Sequence, residues 1–486
     1  MQVFPSISEN INYIKNFFYH SHDLKAYQFT LMQKKCVIFY FETLIDQDKL
    51  EHKLFIPLSE CPTIDHIMNS FTLGHFHKTA KFDDITSKMM NGFAILYIDG
   101  EQHVFLIDTA ANFERTTDEP QNEKVVRGSH QGFVESLTIN LNLLRKRIED
   151  ESLYIEYYTI GKKAKSKMAI AYMKGIAAKD VVHDVQKRLK SISVDMSFNP
   201  GNIEEFLEDS ASSPFPQMLN TERPDRVEAN LMEGRIAIFM EGSPTVLIIP
   251  VTFFSFYQSP DDYNSRAYIG TFVRIVRISS FLIAVTLPAI YIAVIGFHFE
   301  VLPKELLITV KGLVDKVPYP PLIEAIIMEL MIELIREAGI RLPSAIGPTI
   351  GIVGGLVIGD AIVRAGLVSN TMVVVVATTA IASYVIPSNE MSAAVRLLRF
   401  PMMIAAATLG YVGIVFGLMA LLIHLCKLES VGTPYLAPIA PFHWRDLKDS
   451  IVRLPVWKLK NRPLDPHPEE MKQEYSSREW NKIDKK

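Results

Sequence analysis

Residues 278–299 run for 22 positions, and residues 400–426 for 27, without a single Asp, Glu, Lys or Arg. About 20 apolar residues carry a helix through the hydrocarbon core of a bilayer, whereas soluble cores are assembled from shorter amphipathic pieces. The two runs therefore predict membrane insertion. Charge along the chain agrees. Lys+Arg against Asp+Glu is 27 against 34 in residues 1–243, 11 against 11 in 244–426 and 12 against 9 in 427–486. A charge-poor middle between two ordinary polar parts excludes a uniformly soluble protein. With 48% hydrophobic residues and three cysteines, the chain is neither disordered nor a disulfide scaffold.

Spans are expected near 278–299, 343–359, 371–387 and 400–426. Residues 318–341 place Glu324, Glu329, Glu333, Arg336 and Glu337 in an otherwise apolar helical stretch, which reads as membrane-embedded or interfacial. Residues 245–258 contain Pro250 and are too short to cross as a helix, so a strand followed by an interfacial stretch is expected. Arg266, Arg274 and Arg277 precede the first span and place the N-terminal part on the cytoplasmic side. The basic tail favours the same side and hence an even number of crossings. Met1–Glu9 has no basic signal-peptide start, and the widely spaced Cys36, Cys61 and Cys426 suit a reducing compartment.

The N-terminal part alternates helical and strand periodicity. At a shift of 142 residues it repeats itself, 83–107 aligning with 225–249 without a gap, each copy reading as helix, Gly stop, strand, acidic-Gly turn and strand. The expected fold class is therefore mixed. An N-terminal α/β part has two related helix-hairpin subdomains, 1–149 and 150–258, the second ending in a membrane-proximal segment. A polytopic α-helical membrane domain over 259–426 and a polar tail over 427–486 follow.

No nucleotide loop, C-x-x-C, H-E-x-x-H or G-x-S-x-G is present, so neither a cofactor nor enzymatic activity is expected. The lysines at 162, 163, 165 and 167 lie in a net acidic region and read as a solvated turn rather than a nucleic-acid patch. His75 and His77 lack further ligands, which argues against a metal. The membrane part is more specific. Gly347, Gly351, Gly355 and Gly359 recur every four residues, and Gly413 and Gly417 repeat the spacing, a pattern that lets helix backbones approach closely. Charges at membrane depth tend to face an interior or a water-filled path. Glu324, Glu329, Glu333, Arg336 and Arg364 are accordingly candidate ion-path residues, with an interfacial helix as the alternative.

Long ordered pieces of the chain resemble a known family. They include Gly128–Arg147, the motif Pro214, Phe215, Pro216 and Gln217, and the motif Thr221, Glu222, Arg223, Pro224 and Asp225. Glu241–Phe254, Gln258–Tyr263, Glu337–Ala361, Arg396–Pro401 and Gly432–Pro441 continue the match. The chain is similar in these pieces to the A subunits of GerA-type spore germination nutrient receptors. The resemblance implies a multi-pass protein of the spore inner membrane with its N-terminal domain on the core side. Its implied partners are a transporter-like B subunit and a lipoprotein C subunit. It further implies self-association into an ion conduit that releases cations when a germinant is sensed, the alternative being a scaffold that conducts nothing itself.

Overall fold

Apolar residues at consecutive positions in a short run give a strand buried on both faces, and Lys34–Phe41 is such a strand. Val37, Phe39 and Phe41 point into one core and Cys36 and Ile38 into another. The structure, a computed structural model, describes residues 2–31, 33–60, 76–112, 119–196, 199–314, 316–341 and 359–473.

The first α/β half contains α1 (Ile7–Phe17), β1 (Leu24–Leu31), β2 (Lys34–Phe41), β3 (Phe76–Thr79), α2 (Phe82–Met90), β4 (Phe93–Ile98) and β5 (Val104–Asp108). The strands form one antiparallel sheet in the order β1-β2-β4-β5-β3. The second half contains α3 (Leu137–Arg147), β6 (Leu153–Ile160), β7 (Ser166–Met173), α4 (Lys179–Ser191), α5 (Pro200–Leu207), β8 (Leu219–Thr221), α6 (Pro224–Met232), β9 (Ile236–Met240) and β10 (Val246–Ile249). Its antiparallel sheet runs β6-β7-β9-β10-β8, the same order. The units α2–β4–β5 and α6–β9–β10 occupy matching places in the two sheets. Their helices stop at Gly92 (φ +84°) and Gly234 (φ +101°), and their hairpins turn at Gly100 (φ +81°) and Gly242 (φ +84°), conformations that glycine adopts without steric cost.

The two halves meet around a buried charge. Arg145 of α3 lies 2.8 Å from Asp23 and 4.4 Å above the Phe41 ring, while Ser21 and Thr43 also donate to Asp23. Asn142 ties the same helix to the Thr43 carbonyl at 2.7 Å.

The helical part comprises α7 (Ala267–Phe297), α8 (Lys304–Val314), α9 (Pro321–Arg341), α10 (Gly359–Arg364), α11 (Asn370–Val385), α12 (Asn389–Leu409) and α13 (Tyr411–Lys427). Among the described residues α7 and α12 are long and apolar enough to cross a membrane, and α11 and α13 are shorter apolar helices. α7 leaves the α/β unit, and Tyr291 near its other end meets Ser369 and Thr371 at the start of α11. α11 returns, its Ser383 carbonyl accepting from Ser392 in the first turn of α12. α12 starts at the α/β unit, where Asn220 donates to Glu390 at 3.2 Å, and runs outward to Gly410. α13 comes back, its His424 bonding Ser213 at 2.8 Å.

Three expectations change. The uncharged stretch 400–426 is not one helix, because Gly410 turns the chain at φ +62° and both arms are apolar. Phe253–Tyr257 is not interfacial, since Phe253, Phe254, Phe256 and Tyr257 are buried where the α/β and helical parts join. The 427–473 segment is no free tail. Ser430 bonds the Gln217 carbonyl, Tyr435 the Pro216 carbonyl, and Asp465 pairs with Arg235 at 3.1 Å. The 343–359 stretch falls outside the described residues up to Gly359.

Candidate functional site

α9 begins after a proline-rich turn, with Pro321 at its first position, where a missing N–H costs nothing. At about 1.5 Å per residue, 21 residues extend roughly 30 Å, the thickness of a bilayer core. It packs on α11, α7 and α12, with Glu324 and Glu329 buried. Its polar residues form a ladder. Glu324 accepts from the Ser369 backbone N–H at 2.5 Å, at the N-terminus of α11, where the helix dipole favours a negative charge. Five residues on, Glu329 pairs with Arg399 of α12, both side chains under 5% exposed. Arg399 also donates its Nε hydrogen to the Ala284 carbonyl at 3.0 Å. That carbonyl is four residues before Pro288, which has no N–H to give it, so the arginine supplies the missing donor.

Glu333, half-exposed, lies 3.5 Å from Arg336 and 3.3 Å from Arg396. Arg336 stacks 4.6 Å over the Tyr384 ring and donates to Ser383 at 3.2 Å. The structure thus brings Glu324, Glu329, Glu333 and Arg336 to one seam of the bundle. Arg364 stands apart, on the surface of α10, paired with Asp360 at 2.8 Å. Arg399, absent from the sequence-based set, belongs to this seam. The one sequence signal for it is an arginine amid 389–409, and its partner lies 70 positions away.

Gly347, Gly351 and Gly355 lie outside the described residues, and Gly359 opens α10. Gly413 and Gly417 face α12. A Cβ on Gly413 would overlap the Ala405 carbonyl, and one on Gly417 would come within 2.6 Å of the Met402 sulfur. Gly413→Leu should therefore push α13 off α12, because the obstacle is backbone. A loss of about 3 kcal/mol or more is expected, read as a lower unfolding midpoint in detergent. Gly296→Leu, where a Cβ meets nothing within 4 Å, is the control and should leave the midpoint in place.

At the junction both family-like motifs act as clamps. Gln217 accepts from Asp209 N at 3.1 Å and Ser210 N at 3.0 Å, and Phe215 packs near Phe253, His424 and Tyr435, holding the end of α13 to the second sheet. Arg223 grips Asp225 through two bonds, 2.6 and 3.0 Å, and donates to the carbonyls of Glu123 and Ser129. Thr221, the Glu222 N–H and Arg226 all bond the Glu123 carboxylate. Glu222 accepts from Gln121 N at 2.7 Å and Asn122 N at 3.2 Å, so the whole motif fastens the 119–131 connector. Arg274 and Arg277 at the start of α7 share Asp262 at 3.3 and 2.7 Å, and Arg274 reaches Asp449 at 3.3 Å. Beside them a cavity of about 660 Å³ is lined by Glu233, Arg235, Tyr263, Asp449 and Asp465. Burial there raises Glu233 to about 7 although Arg235 opposes it.

A carboxylate cluster marks the start of α12. Burial first, and then the Glu390 and Glu208 carboxylates, raise Glu204 from 4.5 to about 8. Between those values the folded chain keeps a proton that the unfolded chain has released, so stability falls as pH rises through the window. Glu204→Gln should abolish that fall, raising Tm at about pH 8 and leaving it unchanged at about pH 4. Equal Tm changes at both pH values would contradict the assignment. Among the described residues no group of three or more His, Cys, Asp or Glu is placed to hold a metal ion.

Comparison with known proteins adds the family. Spore germination protein B1 of Bacillus subtilis (strain 168) is 40% identical over 481 residues, covering 97% of this chain and 99% of that protein. Spore germination protein KA of the same organism is 37% identical, covering 94% and 86%. Among solved structures, the N-terminal domain of the A subunit of the Bacillus megaterium spore germinant receptor GerK3 matches at 29% identity and a TM-score of 0.40, covering 52% of this chain and 98% of that one. The family described as Bacillus/Clostridium GerA spore germination protein matches residues 12–464, and with relatives similar over nearly their whole length, the chain belongs to that family.

Proposed function

We propose that the chain is the A-type membrane subunit of a nutrient-responsive spore germination receptor, non-enzymatic, which forms or gates a cation conduit. The observation that carries this reading is the polar seam along which α9 packs on a bundle whose first and last helices are fastened to one α/β unit. A change in the α/β unit would reach the seam through α7 and α12, which are tied to that unit at one end and pack on α9. The chain leaves the α/β unit with α7 and returns with α13, which supports an even number of crossings whatever path lies between. In this reading the helical part, 259–426, is polytopic in the spore inner membrane. Both the N-terminal part and the segment after α13 then lie on the core side. The matching sheet orders support two related subdomains, 1–149 and 150–258. Partners would be a transporter-like B subunit, a lipoprotein C subunit and further copies of this chain, packed through glycine faces.

A second reading, a scaffold that couples a nutrient-binding partner without conducting, is favoured by one observation: Glu324 and Glu329 are engaged inside the protomer. Glu333→Gln separates the two, because Glu333 is half-exposed and its loss leaves the buried pair intact. With the complete receptor in spores or proteoliposomes, the conduit reading expects a changed rate or cation preference of nutrient-triggered release. Normal assembly with unaltered rate and preference would favour the scaffold.

A further inference from the structure

After α13 the chain first bonds the α/β unit through Ser430 and Tyr435. Residues 436–461 then run as a strap across the first turns of α7. The level is fixed by Thr271, whose hydroxyl lies 3.1 Å from the Arg453 carbonyl and 3.2 Å from its N–H, and by the Arg274–Asp449 pair. The exposed residues of the strap have an uneven composition. Ile439, Phe442, Trp444, Val452 and Trp457 are exposed, Phe442 by 64% and Trp444 by 76%. The exposed charged residues of this segment are Arg445, Lys458 and Lys460, all cationic. Its two carboxylates are taken up inside. Asp446 accepts from Leu464 N at 3.1 Å, and Asp449 holds Arg274 and the Tyr263 hydroxyl. Beside the strap, α7 exposes Tyr268 by 89% and Phe272 by 68%, next to Arg266.

We infer that this strap is a membrane-facing surface that rests on the anionic headgroup layer on the α/β side of the bilayer. Tryptophan and tyrosine favour the boundary between water and hydrocarbon, where an apolar ring and a polar edge are both accommodated. Lysine and arginine beside them are drawn to an anionic leaflet, and an inward-turned set of carboxylates removes the opposing repulsion. The bundle helix that leads into the strap, α13, likewise exposes Val415, Phe416, Met419, Leu422 and Ile423. The inference rests on the reading that the helices cross a bilayer.

The chain has three tryptophans, so Trp457→Phe with Trp480→Phe leaves Trp444 as the sole emitter in the full-length protein. In nanodiscs containing phosphatidylglycerol, acyl-brominated lipid should lower its emission roughly twofold, and aqueous iodide should quench it weakly. Replacing Arg445, Lys458 and Lys460 with Gln should weaken that shielding in anionic discs and leave it unchanged in zwitterionic ones. Full iodide quenching with no effect of brominated lipid would overturn the inference. So would shielding that arises only when the other receptor subunits are added, since a protein would then be the occupant. A second variant, Phe416→Trp with all three native tryptophans replaced by Phe, separates the two readings. If it is quenched by brominated lipid and Trp444 is not, the strap inference fails alone. If neither is quenched, the bilayer reading fails with it.

Discussion

Arg399→Met should destabilise the protein by about 3–5 kcal/mol, the cost of leaving a buried partner charge uncompensated. Glu329 would lose its ion pair and the Ala284 carbonyl its donor at the same time. The double variant Arg399→Met with Glu329→Leu should recover much of the loss, since apolar side chains of similar volume often replace a buried pair without penalty. The Ala284 carbonyl would still lack a donor, so recovery should stop short by about 1–3 kcal/mol. Restoring the backbone donor with Pro288→Ala in the double variant should close that remainder. Unfolding by denaturant in detergent reads all three. Equal midpoints for the single and double variants would show that the two residues are not coupled.

Arg145→Met should cost about 3–5 kcal/mol by the same mechanism, acting this time between the two sheets. Arg145 and Asp23 are 1% and 0% exposed, so water cannot replace the lost partner. Asp23 keeps Ser21 and Thr43 as donors, which places the effect toward the lower end. Arg145→Lys should restore part of the charge but not the two-pronged contact to Asp23 and the Leu153 carbonyl. A thermal shift no larger than that of an exposed variant such as Lys163→Met would rule out this role for the pair.

How much of this could be read from the sequence follows the range of the interactions. β2 was legible because eight neighbouring residues decide it, and the helix-hairpin units because their glycines sit at fixed offsets within about 25 residues. The long apolar α7 was equally legible, though its start at Ala267 was hidden by Arg274 and Arg277, which are tolerated inside the helix through Asp262. The 400–426 stretch misled because hydropathy cannot register a turn whose two arms face the same kind of surroundings. The environment of α9 stayed ambiguous because Glu324, Glu329 and Glu333 are placed only once their partners, Ser369, Arg399 and Arg396, are brought from 45 to 70 residues downstream. The Thr221–Asp225 motif could be quoted as a string, but its work of fastening Glu123 and the connector is visible only once residues about 100 apart are neighbours.

The three ties between the α/β unit and the bundle also define which motions remain. α7 is pinned through Arg277 at the Tyr257 carbonyl, α12 at Asn220 and α13 at Ser213. Three separate fixed points behave as a tripod, so tilting the α/β unit tilts those helices as one rigid body and stretches none of them. α9 stands against this frame, held by side-chain ties along its length. A sliding or rolling of α9 against this frame would have to exchange the partners of Glu329 and Glu333. Arg396 and Arg399 stand one turn apart on α12, so such a movement would proceed from one arginine to the next rather than as a continuous widening.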